Sequence, residues 1–298
     1  MNQASALYQS TEERKPNERM LSRLRCIAIG SGKGGVGKTM VSVGLACSLA
    51  RMNFKTLLVD ADLGLANVDL QMGLEPKYTM QDVVFGNTRI QDAVIPTANG
   101  PDVLAASSGV SEMTDMGRAR QQMLVEDLMS FARQYDFLII DAGAGIGSNV
   151  TTFLSAAPEV AVVVANEPTS VMDAYSLIKV LNQCKHPPSL SLIVNMVHSL
   201  AEGRLLATRL NAITERFLGF TARVAGTVMY DRIVGDAIRA RMPVINFAEG
   251  SAVATCLRDI AREFAFEDKG RSRLRNGQAF FDSLTAMSLQ SASTEATP

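Results

Sequence analysis

The 298-residue chain carries 29 basic and 30 acidic residues, with 47% hydrophobic and 20% charged positions. This ordinary globular balance excludes a global field that recruits nucleic acid, so any DNA contact would be local and no direct DNA binding is expected. Four cysteines, at 26, 47, 184 and 256, show no C-x-x-C spacing, which favours a reducing cytosol over a disulfide frame or a zinc site.

Residues 1–23 are rich in Ser, Glu, Arg, Gln and Asn and are broken by Lys15-Pro16-Asn17, so they read as a disordered arm. They lack the apolar stretch of a signal peptide, and no run in the chain approaches the ~20 apolar residues that span a bilayer. Within the arm, Ala4 to Leu7 could form one face of a short helix. An aliphatic strand, Cys26 to Ile29, then leads into Gly32-Lys33-Gly34-Gly35-Val36-Gly37-Lys38-Thr39, and Val41 to Ala50 leads out as a helix with one apolar face. The stretch satisfies G-x-x-x-x-G-K-[ST] in the strand, loop and helix order that a phosphate loop requires. Glycines free the backbone N–H groups to face phosphate oxygens, and the helix N-terminus adds positive potential. Gly32 through Met40 are the expected nucleotide contacts. Lys38 would reach the β- and γ-phosphates, and the Thr39 hydroxyl would ligate Mg²⁺.

Lys55 to Asp60 is a second strand, followed at once by Asp62. Carboxylates at a strand's C-terminal edge sit where open α/β sheets bind ligands. Asp62 is expected to position and polarise an attacking water, and Asp60 to stand in the metal's outer shell; a pair of solvated loop carboxylates is the plainer alternative. Tyr78 to Gly86 reads as a brief helix, Asp102 to Ala106 as a strand, Ser107 to Asp115 as a loop and Arg118 to Gln134 as an amphipathic helix. Tyr135 to Asp141 is an apolar strand ending in a carboxylate, the arrangement that holds Mg²⁺ through water opposite a phosphate loop. Gly143 to Gly147 follows as a candidate switch loop, or as a glycine-rich turn that only feeds the next helix.

Alternation continues with strands at Val160–Val164, Leu190–Asn195 and Val224–Val228, and helices at Ser170–Asn182 and Arg204–Phe217. Near-continuous apolar strands predict an α/β fold with a mostly parallel central sheet covered by helices on both faces. Asn195 at a strand end is read either as a base-recognising amide or as a helix cap. With no internal repeat or linker, residues 24–266 are expected to be one domain. Residues 267–298 form a tail in which Lys269, Arg271, Arg273 and Arg275 precede Phe280, Phe281, Leu284 and Met287 at helical spacing. That pattern suits a membrane-surface helix and equally a helix docked on the domain itself.

The string from Lys33 to Thr39 resembles the deviant phosphate loop of the MinD/ParA ATPases. Asp60-Ala61-Asp62-Leu63-Gly64-Leu65-Ala66-Asn67-Val68-Asp69, the segment Asp141 to Ile146 and the surroundings of Asn195 extend the similarity over residues 24–266, and Gly143-Ala144-Gly145-Ile146 with the Phe280-Phe281 pair resembles most narrowly the FlhG/FleN branch of flagellar-number regulators. The resemblance implies ATP and Mg²⁺ as cofactors, slow hydrolysis, an ATP-bound homodimer in which Lys33 crosses to the partner's phosphates, and attachment of the tail to the inner face of the cytoplasmic membrane. Without the resemblance Lys33 would be a solvated loop lysine. It further implies the FlhF GTPase and a flagellar switch protein or transcription activator as partners. The opening Asn2-Gln3-Ala4-Ser5-Ala6-Leu7-Tyr8 is similar to the family's FlhF-stimulating element but carries Asn2 for its acid and Tyr8 for its arginine. Ala142 stands where the family usually has threonine. A ParA-like partitioning ATPase and a metabolic phosphate-loop enzyme are the competing readings, the first requiring a basic stripe and the second a further catalytic pocket.

Overall fold

Side-chain alternation along the strands decides the architecture. In β1 (Arg25–Ser31), Cys26 and Ala28 enter one apolar cluster while Ile27 and Ile29 enter another. β4 (Phe137–Ala144) and β5 (Glu159–Ala165) divide in the same way: Leu138, Ile140, Val160 and Val162 face one side, Ile139, Ala161 and Val163 the other. A sheet apolar on both faces must be covered on both, which is the condition of a parallel sheet with crossover helices. The computed structural model describes residues 24–62, 66–106, 128, 131–184 and 186–266. The arm 1–23, the loop 107–115, most of the helix expected at 118–134, and the tail 267–298 lie outside them.

With β2 (Thr56–Ala61), β3 (Asp102–Leu104), β6 (Ser189–Val197) and β7 (Arg223–Met229), the sheet has seven strands in the order β3-β2-β4-β1-β5-β6-β7, and every neighbouring pair is parallel. Helices α5 (Ser148–Ala156), α6 (Pro168–Asn182) and α7 (Leu200–Leu218) cover one face, with Leu154, Leu177, Leu181, Leu206 and Leu210 in its cluster. The other face holds α1 (Lys38–Arg51), α8 (Ile233–Arg239), α9 (Val244–Phe247) and α10 (Ala252–Phe266). Short helices α2 (Val68–Met72), α3 (Met80–Val84) and α4 (Ile90–Ala93) link β2 to β3.

Two differences from the sequence reading bear on function. Helix α1 is buried almost all round, only Thr39, Ala50 and Arg51 escaping, because α10 lies over its outer side and packs Leu257 against Gly44. β4 also runs past Asp141 to Ala144, pairing Ala144 with Ser31, so Gly143 and Ala144 are strand residues and only Gly145 to Gly147 belong to the loop. The Gly145 N–H donates to Ser31 O at 2.8 Å, which ties that loop to the residue before the phosphate loop.

Candidate functional site

Strand β1 lies in the middle of the sheet, and the chain order departs from it in both directions, to β2 and β4 on one side and to β5 on the other. Ligands bind open parallel sheets at the carboxyl edge of such a point. Residues 32–37 turn there into α1, whose N-cap is Gly37. Gly35 and Gly37 have φ of 83° and 82°, in the left-handed region that favours glycine. At Gly37 a Cβ would also stand 2.4 Å from Asn195 Nδ2, and at Gly32 one would stand 2.1 Å from the Asp173 carbonyl carbon. Close approach of β6 and α6 therefore fixes the two ends of the loop. Between them, a Cβ on Gly34 or Gly35 would meet nothing within 4 Å, so that side of the loop is open.

Beneath the loop, Lys38 is 6% exposed and donates to Asp141 Oδ1 at 2.8 Å. Ser42 donates to the same oxygen at 2.8 Å. Asp141 Oδ2 is buried and has no hydrogen-bond partner among the described residues. Asp60 lies directly opposite Asp141 in the β2–β4 register. Its carboxylate accepts the N–H groups of Asp62, Asn67 and Val68 at 3.0, 3.1 and 3.2 Å, so it anchors the loop that follows β2. Burial pushes the Asp60 carboxyl up to about 7, the Asp141 charge adds to that rise, and the three N–H groups oppose it. The half-buried Asp62 brings its carboxylate beside β4, where a Cβ on Gly143 would sit 3.6 Å from Asp62 Oδ1. Thr39, half-buried, occupies the first turn of α1.

Lys33 donates to Glu167 Oε2 at 2.7 Å and to Thr169 Oγ1 at 3.1 Å, both at the start of α6 of its own chain. Asn195 lies inside β6 rather than at a helix start, which overturns its reading as a cap. Its amide donates to Val36 O at 2.8 Å and so links the phosphate loop to the sheet. Beside this bond opens a cleft of about 550 Å³ lined by Met40, Asn195, Met196, Tyr230, Asp231 and Ile238 among others. Sequence reasoning missed the contribution of Tyr230 and Asp231. Their position just after β7, at the same carboxyl edge, was the available signal.

A phosphate-loop strand, loop and helix with a lysine and a carboxylate buried beneath it is thus assembled from four strands. A family profile described as an AAA domain matches residues 24–194. The chain is 38% identical over 240 residues to the antiactivator FleN of Pseudomonas aeruginosa, covering 80% of this chain and 86% of FleN. It is 33% identical to the flagellum site-determining protein YlxH of Helicobacter pylori, over 70% of this chain and 71% of YlxH. The solved MinC:MinD cell division complex of Aquifex aeolicus matches with a TM-score of 0.67 and 25% identity, over 83% of this chain and 98% of that one. The chain belongs to the MinD/ParA family of ATPases. Within the MinD/ParA family the similarity to FleN extends over 240 residues of this chain and that to YlxH over 211. The fold of MinD from Pyrococcus horikoshii, solved with Mg-ADP, is also shared, with a TM-score of 0.67 at 23% identity over 83% of this chain and 96% of that one.

Proposed function

We propose that the chain is an ATP-operated switch that regulates flagellar number or placement, hydrolysing ATP slowly and pairing with a second copy when ATP is bound. The observation that carries this reading is the buried Lys38–Asp141 pair under an open glycine cradle, in a chain similar over most of its length to FleN and YlxH. An ion pair so placed is held in reserve for another charge. Nucleotide phosphates entering the cradle give Lys38 a stronger partner than one carboxylate.

The residues fit Mg²⁺. Asp141 has a buried oxygen without a partner among the described residues, and hard oxygen donors suit this ion, which keeps much of its water. Thr39 would hold it directly and Asp141 through water. When bound, the ion neutralises charge on the phosphate oxygens. Asp60, read from the sequence as an outer-shell residue, has both oxygens engaged by backbone N–H groups and serves first to set the loop that carries Asp62. Asp62 orients and polarises the attacking water. Lys33 leaves Glu167 to reach the phosphates of the partner chain. Gly32 to Met40 and the cleft beside Asn195 take the nucleotide, with the base in the cleft.

FlhF, approached through the arm, a flagellar switch protein and a flagellar transcription activator are the partners this reading implies. The FleN relative is named an antiactivator, which favours the activator as target. Residues 24–266 act as the ATPase domain, and the tail 267–298 attaches the paired form to an anionic membrane surface. The test is genetic and chemical together. Deleting the gene should change the number of flagella per cell in electron micrographs, and purified protein should release phosphate from MgATP. A Lys38→Ala copy should do neither job; one that restores flagellar number would overturn the ATP-switch reading.

A further inference from the structure

Ser42 sits one turn into α1 and is wholly buried. Its neighbours in the helix, Val41, Val43 and Leu45, are apolar core residues, so a hydroxyl at this position costs free energy unless it is paired. Buried serines of a helix usually return the hydroxyl to the carbonyl four residues back. Ser48 in the same helix does so, donating to Gly44 O at 2.7 Å. Ser42 has the same carbonyl within reach, Lys38 O at 3.1 Å, but stands closer to Asp141 Oδ1 at 2.8 Å. One hydroxyl has one hydrogen, and the charged acceptor is the stronger, so the hydrogen goes to Asp141.

Asp141 Oδ1 thus has two partners, Lys38 and Ser42, and Oδ2 has none among the described residues. These two partners differ in one respect. The Lys38 ammonium ends a flexible side chain that the nucleotide reading above sends to the phosphates, whereas Ser42 is fixed in the helix. We propose that Ser42 is a positioning residue for Asp141: it keeps Oδ1 hydrogen-bonded after Lys38 leaves, so the carboxylate holds one orientation and Oδ2 stays available to the hydrated Mg²⁺. The inference rests on the nucleotide reading and concerns only how Asp141 is held. It accounts for a polar residue in the most apolar stretch of α1 and for the unequal use of the two carboxylate oxygens.

The test measures binding of a fluorescent ATP analogue to the full chain, with Mg²⁺ titrated and with Mg²⁺ chelated. Ser42→Ala should bind within about twofold of wild type without the ion, while the Mg²⁺ concentration that half-maximally tightens binding rises by roughly 10-fold or more, as for other hydrogen-bond supports of metal-site residues. Ser48→Ala, which removes an equally buried hydroxyl from the same helix, should leave the Mg²⁺ response unchanged. The isosteric pair Ser42→Thr and Ser42→Val repeats the comparison at constant volume, with the response retained by Thr and weakened by Val. An unchanged Mg²⁺ response in Ser42→Ala, an equal loss in Ser48→Ala, or equal behaviour of the Thr and Val variants would each overturn the role of Ser42 while leaving the nucleotide site standing. A wild-type chain that binds no nucleotide would bring down both.

Discussion

Asp60 and Asp141 face each other across β2 and β4, and their surroundings differ: among the described residues Asp141 receives a lysine and a serine, and Asp60 three backbone N–H groups. The consequence for Asp60 is a carboxyl raised from 3.8 to about 7 in the folded chain. In the window between those values the native state holds a proton that the unfolded chain has lost, so stability is largest at the acid end and falls as pH rises through about 7. Each pH unit costs up to about 1.4 kcal/mol. Asp60→Asn cannot titrate, so urea unfolding of the nucleotide-free protein at pH 5, 6 and 7 should show a flatter pH dependence than wild type. Equal slopes for the two proteins would remove Asp60 as the source. The loop glycines divide in a similar way. Gly37→Ala places a Cβ at positive φ and against Asn195, which should lower unfolding free energy by about 2 kcal/mol through strain and the loss of the Val36 contact. Gly34→Ala meets nothing and should change stability by less than about 0.5 kcal/mol, while its methyl intrudes on the open side of the cradle and weakens ATP binding. Chemical denaturation and nucleotide titration of the two variants separate these effects.

Elements with strong local signals are legible in the sequence. The run from Cys26 to Ala50 announced strand, phosphate loop and helix, and the apolar strings ending at Asp60, Asp141 and Asn195 announced strands of a parallel sheet. Helix α10 was equally legible, since Val253, Leu257, Ile260, Ala261 and Phe264 recur at helical spacing, yet it was not drawn from the sequence. Helices α2 and α4 have five and four residues, too few for a 3.6-residue period to show, whereas α3 falls inside the brief helix read at Tyr78 to Gly86. Strand order is a matter of long-range pairing, so the insertion of β4 between β2 and β1, which sets Asp60 beside Asp141, could not be seen from local pattern. The same holds for the clamp at the amino edge of the sheet. There Arg25 at the start of β1 donates to Glu159 of β5 at 2.8 Å and to the Phe264 carbonyl of α10, while Arg223 of β7 reaches Glu159 and Glu263. Both guanidinium groups lie over the Phe264 ring, at 5.8 and 5.3 Å. Glu159 is 7% exposed, so removing it strands a mostly buried arginine. Glu159→Ala should cost about 3 kcal/mol in urea unfolding, and Glu249→Ala, which breaks an exposed pair with Arg51, less than about 1 kcal/mol. Similar losses in the two variants would reduce the clamp to a surface contact.

At the scale of the whole molecule, the sheet separates two ends. The phosphate loop, Asp60, Asp141 and Asn195 gather at its carboxyl edge, while α10 finishes at Phe266 beside the clamp at the amino edge. On the proposed reading, a nucleotide in the cleft would lie at the opposite edge of the sheet from Phe266, and the proposed pairing of two chains offers a route between them. In the proposed pairing, Lys33 is the residue on which association would turn. Its side chain is 33% exposed and its partner Glu167 is 58% exposed. A pair so exposed is worth about 0–1 kcal/mol, so a phosphate across an interface can displace Glu167 at little cost. Lys33→Ala should then bind ATP as a monomer and turn it over slowly or not at all, because the loop that binds the chain's own phosphates is intact and the contact between chains is gone. Asp62 lies on the other side of the argument. Its backbone is fixed by Asp60 and its carboxylate lies beside Gly143, a position suited to guiding water rather than to holding two chains together. Asp62→Ala should bind ATP, pair, and remain paired, with phosphate release reduced by roughly 100-fold or more, the range for loss of a positioned acid or base. Size-exclusion chromatography with ATP reports association, and a phosphate-release assay reports chemistry, so Lys33→Ala should fail both assays and Asp62→Ala only the second. A Lys33→Ala protein that pairs like wild type would confine that lysine to its contact with Glu167. An Asp62→Ala protein that falls apart on ATP would place Asp62 in the interface rather than at the water.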